Sequence, residues 1–245
     1  MQPNQLLFNE KQFMDYKYKL GVDIDGVLRD ITTTIMDIFK KYHPEAVKSD
    51  IVDGYDFTNV DLPLKVKMDY LFNKFPRQIF LESEPFLEAV EDFPILMKWA
   101  KQNKVKLVCA SHQKSRLIRL SYLWLANWNL IFDELYFTKE KNNLPIDFLI
   151  DDSPKNYEQW TLGRSKNTFF LFDRDYNKLV DAPKRIYRLT DFIEIFEKNE
   201  DFHNKTEGTI YPSDCNHPIK DRSFYSNSSW CNKCKCYVNL SKNKN

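Results

Sequence analysis

Apolar residues along most of this chain fall into two arrangements. Short apolar-rich runs occupy 18–23 (YKLGVD), 105–110 (VKLVCA), 134–137, 146–150 (IDFLI), 168–172 (TFFLF) and 185–189. Runs of this length, rich in β-branched and aromatic residues, predict buried strands. Between them the spacing widens to three and four, the helical period. It predicts helices over 30–42 (Ile31, Ile35, Met36, Ile38, Phe39), from Pro63 to Phe75, over 85–90, from Pro94 through Lys101, over 114–126, and over 190–197 with Thr190 as N-cap. From 48 to 64 the pattern breaks up around Gly54, Asn59 and Pro63, which are turn signals.

Strands alternating with helices imply an α/β fold with a doubly wound, mainly parallel sheet covered on both faces. The stretch 31–102 contains no strand and does not fit the alternation. It reads as a helical cap inserted after the first strand, leaving a core of 18–30 and 103–198. Residues 199–213 turn polar and read as a linker. The remainder, 214–245, forms a small separate module with a local net charge of +5 from Cys215 onward, in a chain whose overall net charge is only +1.

That near-neutral balance gives no global field for nucleic acid or membrane. The five glycines never form G-x-G-x-x-G or a P-loop, which excludes a glycine-cradled dinucleotide or nucleotide site of the usual kind. No apolar run reaches membrane-spanning length and the start lacks a signal peptide's apolar stretch, so the expected location is cytoplasmic. Cys109 stands alone, whereas four cysteines crowd the tail. Cys215-x-His217 and Cys231-x-x-Cys234 have the composition of a closed structural zinc site, with Cys236 a rival ligand.

The chemistry concentrates at two strand ends. Asp23 and Asp25 end the first strand two residues apart, and so share a face, with Gly26 allowing a sharp turn below them. Asp151 and Asp152 close the strand IDFLI. In an open parallel sheet ligands bind beyond the carboxyl ends of strands. Four carboxylates meeting there require a cation, and a hard oxygen set without His or Cys suits Mg²⁺.

VDIDGVLRD, VKLVCAS, Lys141 in FTKEKNN, and FLIDD, in this order, resemble the four motifs of haloacid dehalogenase-type phosphohydrolases. FTKEKNNLPIDFLIDD and IFLESEPFLEAVEDF resemble in particular the 5′(3′)-deoxyribonucleotidase branch. The resemblance implies that Asp23 is a nucleophile forming an aspartyl-phosphate and Asp25 the general acid and base. It implies Mg²⁺ held by Asp23, the Asp25 carbonyl and Asp152, with Asp151 orienting the metal's water. Ser111 and Lys141 would bind and neutralise the phosphoryl group, Lys139 being the rival for the second role. The implied activity is a phosphomonoesterase acting on nucleoside (deoxy)monophosphates.

Three positions depart from the branch. Arg29 stands where a small residue is usual and is expected either to grip an anionic substrate group or to pair with a cap acid. Ile31 replaces an aromatic, and Ala110 replaces a hydroxyl residue. Tyr55 and Phe57, in the irregular GYDFTN stretch, are expected to stack on a base. The basic, aromatic tail would suit nucleic acid or a protein partner, so the alternatives are a polynucleotide-end phosphatase and an inactive binding module on the same fold.

Overall fold

A computed structural model describes residues 16–50, 52, 57–199, 202, 222–225, 228–231 and 236–239. Among them, six strands form one sheet: β1 (Tyr18–Val22), β2 (Val105–Ser111), β3 (Glu134–Phe137), β4 (Phe148–Asp151), β5 (Phe169–Phe172) and β6 (Arg185–Ile186). Their spatial order is β3-β2-β1-β4-β5-β6 and every pairing is parallel. The chain steps outward from β1 through β2 to β3, then crosses to β4 on the other side of β1. That reversal opens a crevice between the carboxyl ends of β1 and β4.

Among the described residues the α-helices α1 (Ile31–Tyr42), α2 (Leu64–Lys74), α3 (Leu87–Gln102), α4 (Ile118–Asn127), α5 (Pro154–Thr161) and α6 (Leu189–Lys198) accompany the sheet. Alternate strand residues feed two apolar layers. The Phe148 and Phe170 rings meet Phe192 of α6, which also contacts Trp99 of α3. Leu149, Phe169 and Leu171 instead pack with Trp160 of α5. A third cluster gathers Ile35, Met36, Phe39, Leu71, Ile79 and Phe80 into the core of the inserted segment.

Several elements differ from the expectations. The two helices expected around Pro94 are one helix, α3, with the proline inside. A proline costs about 3 kcal/mol there. Burial of Ala89, Phe93, Leu96, Trp99 and Ala100 outweighs it, since each large apolar side chain contributes roughly 1.5–3 kcal/mol. This helix also packs on β2, so the end of the segment read as a cap belongs with the cover of the sheet. Thr190 is not an N-cap: it lies inside α6, and the Asp191 carboxylate accepts from the Tyr187 and Arg188 amides instead. Helix α5, capped by Ser153 with Pro154 at its first position, was not expected.

The chain divides into two units, Met1–Ile193 and Glu194–Asn245. In the second, β7 (Arg222–Tyr225), β8 (Ser228–Cys231) and β9 (Cys236–Asn239) form an antiparallel sheet in which Cys231 and Cys236 are register partners. Cys215, His217 and Cys234 of the expected zinc site lie outside the described residues, as does Tyr55. Among the described residues no helix is long and apolar enough to cross a membrane.

Candidate active site

After β1 the backbone turns within a few residues. The Ile24 carbonyl accepts from the amides of Leu28 and Arg29, and the Gly26 amide donates to the Arg29 carbonyl. Gly26 has φ +81°, and a Cβ there would lie 1.9 Å from Asp152 Oδ2, so only glycine fits. Behind the turn, the Arg174 guanidinium donates to the Gly26 carbonyl at 2.6 Å and stacks on Phe86. The turn fixes where Asp23 and Asp25 stand.

Oxygens of Asp23, Asp151 and Asp152, all buried, lie within 4.8 Å of one another. Lys141, from the short turn after β3, is 3% exposed and places Nζ 2.6 Å from Asp23 Oδ2 and 2.6 Å from Asp151 Oδ2. Lys139 is exposed. Asp151 also accepts from the Ser153 amide and from Asn156 Nδ2. Burial raises its carboxyl above the usual range and the Asp23 charge adds to this, while Lys141 pulls it back. The two neighbouring carboxylates raise Lys141 against the opposing effect of burial, so it stays a cation. Tyr176 donates its hydroxyl to Asp152 Oδ2, and Asn177 holds the Asp152 carbonyl.

Asp25 is outside this cluster. Its Oδ1 accepts from Arg29 Nε at 2.7 Å and its Oδ2 from Gln113 Nε2 at 2.5 Å. Burial is the largest influence on Asp25 and raises its pKa, with Asp23 acting in the same direction; Arg29 and Gln113 oppose them without prevailing.

Arg29 itself is fully buried between the Phe80 and Trp124 rings, and donates to the Phe80 carbonyl and Ser121 Oγ as well as to Asp25. Its donors are engaged inside the chain, so the expected grip on a substrate anion gives way to a clamp on Asp25. Phe57 also departs from expectation. Its ring is buried in the core of the inserted segment, 6.3 Å from Phe39, and is not placed to stack on a base.

A cleft of about 370 Å³ opens onto Asp23 and Asp25, and Ser111, Gln113, Lys141 and Asn156 line it too. Its apolar lining comes from Ile31, Met68, Phe72, Phe80 and Leu117. Gln113, Asn156, Phe72 and Tyr176 carry no sequence pattern that separates them from surface polar or core aromatic residues; only Ser153-Pro154, a helix start, pointed toward Asn156.

Three carboxylates within 4.8 Å are compatible with one hexacoordinate ion, whose ligands stand about 2.0–2.1 Å from the metal. The all-oxygen donor set suits Mg²⁺. The arrangement therefore sets three crowded carboxyl groups around Lys141, Asp23 among them at the cleft, beside a separate carboxyl, Asp25, whose pKa is raised by burial.

The family model described as "5' nucleotidase, deoxy (Pyrimidine), cytosolic type C protein" matches residues 17–199. A 5'(3')-deoxyribonucleotidase of Clostridium acetobutylicum is 26% identical over 185 residues, covering 73% of this chain and 92% of that protein. A haloacid dehalogenase-like hydrolase from Streptococcus pneumoniae shares the fold with a TM-score of 0.52 at 11% identity, over 73% of this chain and 98% of that one.

Proposed function

The chain belongs to the family of cytosolic type C 5′-nucleotidases, phosphatases of the haloacid dehalogenase type, and from that membership we propose a Mg²⁺-dependent phosphomonoesterase acting on nucleoside (deoxy)monophosphates. The observation that carries this reading is the unequal treatment of two aspartates two residues apart. Asp23 sits in the cluster against Lys141, whereas Asp25 is held off it with a raised pKa.

In the proposed reaction an Asp23 carboxylate oxygen attacks phosphorus and the ester P–O bond breaks. Asp25, protonated, gives its proton to the departing oxygen. The Asp25 carboxylate then takes a proton from water, whose oxygen attacks phosphorus and breaks the bond to Asp23. Inorganic phosphate leaves and Asp23 is restored. Lys141 and Ser111 hold the phosphoryl oxygens. Mg²⁺ bound by Asp23, Asp152 and the Asp25 carbonyl would neutralise charge on the transferred group, with Asp151 orienting its water. The half-buried apolar lining, Ile31, Met68 and Phe72, supplies a surface for a base.

Cytoplasmic residence agrees with the word cytosolic in the family description. The structural zinc site rests on the spacing of Cys215, His217, Cys231 and Cys234 alone.

The test is a panel of ribo- and deoxynucleoside monophosphates, sugar phosphates and p-nitrophenyl phosphate, with Mg²⁺ and with chelator. The expected result is Mg²⁺-dependent phosphate release favouring nucleotides. Equal use of sugar phosphates would overturn the substrate assignment, and undiminished turnover in chelator would overturn the metal.

A further inference from the structure

The cleft carries more positive charge than the proposed reaction uses. Besides Lys141, three lysines line it: Lys114, Lys139 and Lys155. They come from three separate places, after β2, after β3, and in the first turn of α5, each beyond the carboxyl end of a strand. All three are exposed. Among the described residues none of the three has a carboxylate within ion-pair distance. Lys114 only rests over the Phe72 ring, its Nζ 4.9 Å from the centroid.

The lining offers no anion to balance them. Its acidic members are Asp23 and Asp25, and these are engaged by Lys141 and Arg29. The charges converge on one neighbourhood. His112, another lining residue, has its pKa lowered by burial first, and then by Lys141, Lys139 and, more weakly, Lys155, with Asp23 opposing. Three unpaired ammonium groups around one mouth repel one another, a cost that an anion bound among them would remove.

The phosphoryl group being transferred already has its partners in Lys141, Ser111 and the metal. We infer that among nucleotides those carrying a second phosphate are used better than simple monophosphates, the extra phosphate being held at the mouth by Lys114, Lys139 and Lys155 beside the one that is hydrolysed. This rests on the nucleotide reading, because the further anionic group a nucleotide brings is a phosphate. Lysine is well matched to such a hold, since a mobile point charge follows phosphate oxygens over a range of positions, where an arginine fork would demand one geometry. The second phosphate has two chemical sources, a nucleoside bisphosphate or the first phosphodiester of a polynucleotide end.

The experiment compares kcat/KM for a deoxynucleoside 5′-monophosphate, the matching 3′,5′-bisphosphate, a 5′-phosphorylated oligonucleotide and p-nitrophenyl phosphate, in the full-length wild type and in Lys114→Gln/Lys155→Gln. In the wild type at least one substrate with a second phosphate should exceed the monophosphate by about tenfold or more, the scale of one charge-assisted contact. The double variant should lose most of that advantage, leave p-nitrophenyl phosphate unchanged, and flatten the salt dependence. A preference for the bisphosphate identifies the small molecule as the source; a preference for the oligonucleotide identifies the strand end. Equal kcat/KM for all three nucleotides in the wild type, or an equal loss on every substrate in the variant, overturns the inference. The parent reading fails differently, by turnover of p-nitrophenyl phosphate with no nucleotide used better than it.

Discussion

The two ends of the parallel sheet both carry acidic residues, and they treat them in opposite ways. At the amino end, Glu134 accepts from Lys19 and Lys106, Asp133 from the Leu107 amide, and Asp147 from the Lys19 amide. Partial burial works against the Glu134 charge, yet the hydrogen bonds from Lys106 and Lys19 prevail and hold its pKa below the usual value. At the carboxyl end Asp23, Asp151 and Asp152 are crowded together with one lysine, and burial drives Asp25 upward. One end is arranged so that its carboxylates stabilise the fold. The other crowds three carboxylates around one lysine, a geometry that a bound metal ion would relieve further, which is how a site stores readiness to react.

The sharpest way to break this contrast is Asp23→Asn. Turnover should fall by about 10⁴-fold or more, while the melting temperature stays level or rises, because Lys141 keeps Asp151 and one crowded charge is gone. A large fall in melting temperature would place Asp23 with the stabilising acids of the opposite end. Lys141→Met should come next. It leaves Asp23 and Asp151 buried without their cation, a loss of roughly 3–5 kcal/mol for a broken buried pair. Urea unfolding with and without Mg²⁺ checks it, since added metal should return part of the loss.

Gln113→Leu acts on the acid alone. Gln113 donates to the ionised form of Asp25, so its removal raises that pKa further. The limb of kcat/KM that falls as pH rises, where the acid loses its proton, should move to higher pH. A shift to lower pH would show that Gln113 does not favour the carboxylate. The smallest effect belongs to the amino end. Glu134→Gln should cost about 0.5–1 kcal/mol at neutral pH after allowance for solvent screening, with activity unchanged. Because the folded pKa is depressed, that stabilisation is present above the unfolded value of 4.5 and disappears as pH falls through the folded one. Stability curves of the two proteins should therefore merge in acid.

How much of this was legible in the sequence depended on whether a residue's role is written in its neighbours. Asp23 and Asp151 follow apolar runs that can only be buried strands, so their place at the sheet's carboxyl edge could be read directly. The period also gave the strands and most helices. It split α3 at Pro94, because a local rule cannot weigh the burial that carries the helix through. It passed over α5, although Ser153 and Pro154 form a proper helix start, because its few apolar residues make a weak stripe. Arg29, Gln113 and Asn156 act through partners distant in sequence, and Phe57 is buried by a loop whose course no period describes. Such pairings exist only after the chain has folded.

The inserted segment leaves and rejoins the core at a single point. The Asp30 amide donates to the Glu84 carbonyl at 3.0 Å and the Phe86 amide to the Leu28 carbonyl at 2.9 Å, so the departing and returning strands of chain are stitched side by side. An excursion closed by its own stem is modular. Lengthening it alters the closure cost slowly, by about 0.6 kcal/mol per doubling, and its interior reaches back to the core through the Phe80 carbonyl, which accepts from Arg29, the Ser83 carbonyl, which accepts from Trp124 Nε1, and Asn73, which accepts from Arg116. A graft of different length and shape, returning to the same stem and presenting equivalent acceptors to Arg29 and Trp124, would leave the four aspartates where they are. The stem thus separates the inheritance of the reaction from the inheritance of its substrate, and lets the second drift while the first stays fixed.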